Sequence, residues 1–307
     1  MYAVETKYGI LNGAHIIGKY RTSESEYYSV DEKSNLKVLD YNLVPLYGYQ
    51  DARRKELPAI RFYKKGNIRN ISLNDSTKIS TKIGDFQVEK IVFYENGMIN
   101  RLFLLDGKLS GFWSEDDEYK LSEVQHFNLP IGKFEARVMS LHFYKDENLK
   151  SITFWPKERI FLNIGDQKVN IRIGISLYED GSIESCEPAK ATLINTSIGK
   201  IEAFDINTLG IHGENNSLKF YKNGEVKEIV TFTNVIEVQN NNNREKHRYS
   251  PKRVKKYSGD IDSFDTVDME FLENKVIINK KYEYEYNNNT FIIMPYGEKS
   301  LTLSGDL

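Results

Sequence analysis

One nine-residue phrase occurs five times in this chain and narrows the possible folds more than any other feature. It reads Ile60-Arg-Phe-Tyr-Lys-Lys-Gly-Asn-Ile68, then Ile91-Val-Phe-Tyr-Glu-Asn-Gly-Met-Ile99. It returns as Leu141-His-Phe-Tyr-Lys-Asp-Glu-Asn-Leu149, Ile175-Ser-Leu-Tyr-Glu-Asp-Gly-Ser-Ile183 and Leu218-Lys-Phe-Tyr-Lys-Asn-Gly-Glu-Val226. Its tyrosines, Tyr63, Tyr94, Tyr144, Tyr178 and Tyr221, lie 31, 50, 34 and 43 residues apart, a period typical of stacked structural units. Two apolar residues two positions apart share one face of a strand. The glycine that follows supplies the positive φ of a tight turn, and an aliphatic residue two positions later starts the return strand. The third phrase lacks that glycine, and Asn148 is expected to serve in its place.

Each return strand then breaks the strict alternation of a strand. Apolar residues fall at Ile68, Ile71 and Leu73, at Ile99, Leu102 and Leu104, and at Leu149, Ile152 and Phe154. A first step of three where two is required predicts a β-bulge or bend in each hairpin. A second phrase lies between these hairpins, at Thr81–Val88, Leu129–Ala136, Leu162–Val169 and Thr196–Ala203. Its Gly-Asp or Gly-Lys between short alternating runs predicts a second hairpin, hence four short strands per unit. The 50-residue spacing holds an insertion, Gly107–Tyr119, that also reads as hairpin-like.

The fold expected is all-β: an elongated array of stacked β-hairpin repeats in a MORN-like or solenoid-like open sheet, with N- and C-terminal β caps. Residues 1–56 form the first cap with an insertion, 57–235 the array, and 236–307 a basic-then-acidic linker and a closing β-meander that covers the sheet edge. The Phe-Tyr-x-Asn-Gly-x-Ile phrase resembles the bacterial MORN-variant repeat, the antitoxin-component type. Phe93–Ile99 followed by Asp106-Gly-Lys-Leu-Ser-Gly-Phe-Trp113 matches it best, although the spacing here is longer than that family's. The resemblance implies stacked hairpins and a role in protein or lipid contact rather than catalysis.

Composition adds where the chain works. A net charge of −2 provides no global field toward nucleic acid or anionic lipid. One cysteine, no leader-like N-terminus and no apolar run long enough to span a bilayer point to the cytoplasm. Cys186 falls in the slot that Ile71, Leu102, Ile152 and Ile229 fill in other phrases, so it reads as a small buried hydrophobe rather than a nucleophile. The five histidines show no metal-ligand spacing; His142 sits at a variable position and is expected to face solvent, while His212 is the least explained. Glu115 to Glu118 are four consecutive acids beside Trp113 and Tyr119, read as a solvated loop.

No catalytic constellation and no cofactor motif are found, so the reading is a non-catalytic module with a protein partner or with itself as partner. The alternative is a carbohydrate-binding or carbohydrate-active protein using Tyr63, Tyr94, Tyr144, Tyr178, Tyr221, Trp113 and Trp155 as an aromatic ladder. The same tyrosines, as plain structure, would brace the sheet. A third reading is nucleic-acid contact through Arg244, Lys246, Arg248, Lys252, Arg253, Lys255 and Lys256, disfavoured by the acidic run that follows.

Overall fold

The computed structural model describes residues 2–19, 26–48, 52–54, 58–208, 214–254 and 263–297. The protein is all-β: among the described residues 58% are in strands, with one α-helix, Glu115–Leu121, and a large antiparallel sheet. It divides into two compact units, residues 1–127 with 137–152, and residues 128–136 with 153–307. The division therefore falls inside the expected array, passing through strands Gly132–Phe143 and Leu149–Phe154.

In the first unit, strands Ala14–Lys19, Glu26–Val30, Ile60–Phe62, Ile68–Thr81, Gly84–Phe93 and Ile99–Phe103 pair in succession, and the last pairs with 140–142. One register row crosses them: Tyr28, Ile60, Ile71, Ile91, Leu102 and Leu141 stand opposite one another in turn. The second unit repeats the register, with Ile175, Cys186, Leu218, Ile229, Met269 and Ile278 in one row. From Ile60 onward every member of both rows is at most 1% exposed. Each such side chain contributes on the order of 2 kcal/mol of burial, so these rows are the backbone of both cores. Cys186 is a row member at 0% exposure, as its slot in the phrase foretold.

In the first two hairpins the bulges stand at the steps of three, and the fourth and fifth carry bulges too. Arg69, Asn100, Glu184 and Lys227 are skipped in the pairing of their hairpins. The turns differ from expectation in one place. Gly66, Gly97, Gly181 and Gly224 take φ between +76° and +91°, and in the third phrase the left-handed residue is Glu147, at φ +67°, not Asn148. Asn148 instead braces the turn, its side-chain amide and backbone N–H both reaching the Asp146 carboxylate. A side chain longer than glycine's is held there because the flanking strands fix the turn's shape.

The second phrases do make hairpins, but without four short strands per unit. Ile68–Thr81 runs for 14 residues and belongs to two hairpins, changing register between Ser72 and Thr77. The loop at its end is Lys82–Ile83, and Gly84 opens the return strand. The strand continues through that register change without a break. At the C-terminus, Val267–Phe271, Lys275–Ile278 and Tyr282–Glu285 extend the sheet. The final strand, Asn289–Pro295, belongs to another, three-stranded sheet, in which it pairs over seven residues with Asn234–Asn240, which also holds Lys246–Tyr249.

Candidate interaction surface

The five tyrosines are half-buried, and the hydroxyls of four of them do structural work. Tyr63 donates to the Phe93 carbonyl at 2.9 Å and Tyr94 to the Phe143 carbonyl at 2.8 Å. Tyr178 donates to Phe220 at 2.7 Å and Tyr221 to Phe271 at 2.8 Å. Each hydroxyl thus ties its hairpin to the end of a strand in the next. Their ring faces carry cations: Arg69 lies 5.8 Å over Tyr63, Lys150 5.8 Å over Tyr144 and Lys227 5.9 Å over Tyr221. Arg69 and Lys227 are bulged residues, so the bulge aims a cation at the ring. Lys145 covers Tyr94 and Lys222 covers Tyr178 from the following phrases. Burial raises the pKa of Tyr63, Tyr178 and Tyr221 above the ordinary phenol value. A ladder stapled by hydroxyls and capped by the chain's own cations leaves little aromatic face for a ligand.

The two tryptophans do not join that ladder. Trp155 is 4% exposed, inside the second unit's core. Trp113 belongs to the insertion, which is where the structure departs most from the sequence reading. Residues Glu115–Leu121 form a helix, not a loop. Ser114 caps it and Asp117 reciprocates, a capping box with Asp in place of the usual Glu. Glu118, read as one of four solvated acids, is 4% exposed. It accepts from the Trp113 indole at 2.7 Å, from the Gly107 backbone at 2.9 Å, and from Arg53 at 2.7 and 2.9 Å.

Arg53 lies between two carboxylates, because Glu89 takes its other donors at 2.7 and 3.0 Å. Glu89 also accepts the Asp106 N–H at 2.8 Å, and Asp106 is held by Lys90 at 2.9 Å and Ser72 at 2.6 Å. Arg54 adds a longer ion pair to Glu89 at 3.5 Å. Three cations face three carboxylates, so the charges balance inside the cluster and the insertion is pinned to the sheet. Gly107 is needed for this, since a Cβ there would lie 2.2–2.4 Å from the Glu118 carboxyl.

What the network holds outward is apolar. Ser110 and Trp113 close a tight turn through a backbone bond of 2.9 Å. At its tip Phe112 is 90% exposed, and Leu109 beside it is 61% exposed. Glu115 and Asp116 stand exposed at its flank.

Among the described residues, the basic run is spread over a turn and two strands. Arg244 sits in a turn at φ +62°, and Lys246 is engaged by Glu237 at 2.8 Å. Arg248 is exposed on the same strand, and Lys252 is exposed on a short strand opposite Asp265. Arg253 contributes backbone pairing to Phe264, while Lys255 and Lys256 lie outside the described residues. The alternating partners, His247 and Tyr249, turn toward Tyr282 and Tyr284.

His142, expected to face solvent, is 8% exposed and bonded to Asn100 and Arg101 at 3.2 and 3.1 Å. His15, His126 and His247 are exposed, and His212 lies outside the described residues. Glu187 gave no sequence signal at all. It is 0% exposed, accepting from the Ser217 N–H at 2.7 Å and the Asp205 N–H at 3.2 Å, with Arg172 at 3.6 Å. Burial outweighs those partners and pushes its carboxyl up to about 7. Burial likewise pushes the Cys186 thiol well above its ordinary value, away from nucleophilic chemistry.

Comparison with protein-family models, with curated proteins and with solved structures found no match to this chain. No helix among the described residues is long and apolar enough to cross a membrane.

Proposed function

We propose that this chain is a non-catalytic protein-binding module, a β-hairpin array of MORN-like kind that presents a rigid apolar knob, Leu109–Phe112, to a protein partner. One observation carries the reading: Phe112 is 90% exposed on a turn anchored by a buried ion network. A large apolar side chain held in water by so much fixed structure is the arrangement of an interface anchor, which rewards rigidity by lowering the entropy lost on docking. The carbohydrate reading has less support, since the tyrosine hydroxyls are used internally and Trp155 is buried. The nucleic-acid reading has less as well, given the paired Lys246 and the acidic neighbours of the basic run.

The test uses the full chain carrying a photo-crosslinking residue at position 112, beside the Phe112→Ser variant, in an extract of the source cells. Protein adducts at position 112, together with partner capture that Phe112→Ser abolishes, support the reading. Retention of glycan or nucleic acid in place of protein overturns it.

A further inference from the structure

Resting on that reading, we propose that the knob's partner is a second copy of this chain, and that Phe112 seats in the cleft lined by Val4, Tyr28 and Phe62 of the neighbouring molecule. The cleft has a volume of about 400 Å³, within the range that encloses a small apolar group. Tyr28 and Phe62 line it, packed edge to face with their centroids 5.8 Å apart. Lys7, Lys64 and Lys65 stand around it, against Glu5 and Glu26, three positive charges to two negative. The Tyr28 hydroxyl engages one of those carboxylates, donating to Glu26 at 2.7 Å. Lys64 and Lys65 are exposed, and the Lys65 pairing to Glu95 is loose at 3.9 Å between two solvated side chains. The knob has the opposite signature, an apolar tip with Glu115 and Asp116 exposed beside it. The excess of positive charge around the cleft therefore complements the acidic flank of the knob.

Two different patches make a heterologous contact, in which each molecule offers a knob to one neighbour and a cleft to another. Such contacts build chains or rings rather than a closed two-fold dimer. A single side chain in one cleft makes a small contact, which places the association among weak, transient ones.

Sedimentation velocity of the full chain over a wide concentration range tests this, with Phe112→Ser as the knob-defective variant and Lys64→Glu/Lys65→Glu as the cleft-defective one. All three substitutions are at exposed positions, so both proteins should keep the wild-type circular dichroism spectrum and unfolding midpoint. The wild type is expected to grow with concentration beyond a dimer, and each variant alone to stay monomeric. An equal mixture of the two variants keeps one intact knob and one intact cleft per pair. It should therefore form a 1:1 dimer and nothing larger. A wild type that stays monomeric, or one whose assembly neither variant changes, overturns the inference. In either case Phe112-dependent capture of a different protein leaves the protein-binding reading standing, while its absence removes both.

Discussion

Glu187→Gln is expected to abolish a specific fall in stability between mildly acidic and neutral pH. The wild-type carboxyl has no exposure to water in the folded chain, and its pKa rises there from the ordinary 4.5 to about 7. Below pH about 4.5 the group is protonated both folded and unfolded and costs nothing extra. Between that value and about 7 the unfolded chain releases the proton while the folded chain keeps it. The folded state then binds more protons, so stability declines as pH rises through this window. The interval corresponds to about 3 kcal/mol. For a unit of this size that is a decrease of about 6–12 °C in melting temperature. Glutamine cannot ionise; its carbonyl oxygen can accept one of the N–H bonds that the carboxylate takes from Ser217 and Asp205, but its NH2 group cannot accept the other. The variant should therefore start lower at pH 5 yet lose less stability by pH 8. Urea unfolding of both proteins at half-unit pH steps reads this out. Parallel pH profiles for the two proteins would show that Glu187 ionises normally in the fold and that desolvation is not its dominant influence.

Three further outcomes are expected. Tyr94→Phe removes the hydroxyl bond to the Phe143 carbonyl and should cost about 1 kcal/mol, with Tyr178→Phe costing a similar amount, both measurable from urea midpoints. Arg53→Met leaves Glu89 and Glu118 facing each other with side-chain exposures of 11% and 5%, and should cost about 3–5 kcal/mol. The same variant should open residues 107–121 to proteolysis, whereas adding Glu89→Gln and Glu118→Gln should recover part of the loss. Glu147→Gly relieves a left-handed non-glycine residue at φ +67° and should stabilise the chain by about 0.5–1 kcal/mol; a loss on thermal melting would mean that the Glu147 side chain, not its backbone, matters there.

Local chemistry wrote the hairpins into the sequence. Apolar spacing, a turn residue and a step of three residues are properties of nearest neighbours along the chain, and they were enough to locate the bulges at Arg69 and Asn100. The burial of Cys186 was legible for the same reason, because its slot is apolar in every other phrase. Even the helix at Glu115 left a trace, since Ser114 and Asp117 stand at capping-box spacing. Strong acid content masked that signal and favoured a loop.

What tertiary structure alone decided are the contacts between residues far apart in sequence. Nothing within the phrase tells Tyr63 to seek the carbonyl of Phe93, 30 residues on, or Arg53 to sit between Glu89 and Glu118. The same distance in sequence hides the burial of His142 and Glu187, each set by what lies across the sheet or folds over it. Strand and turn follow from local sterics and alternation, whereas the partner of a charge or a hydroxyl depends on which strands the register brings together. The exposed knob at Phe112 belongs to the second kind, because a phenylalanine in a sequence reads as core until the structure leaves it in water.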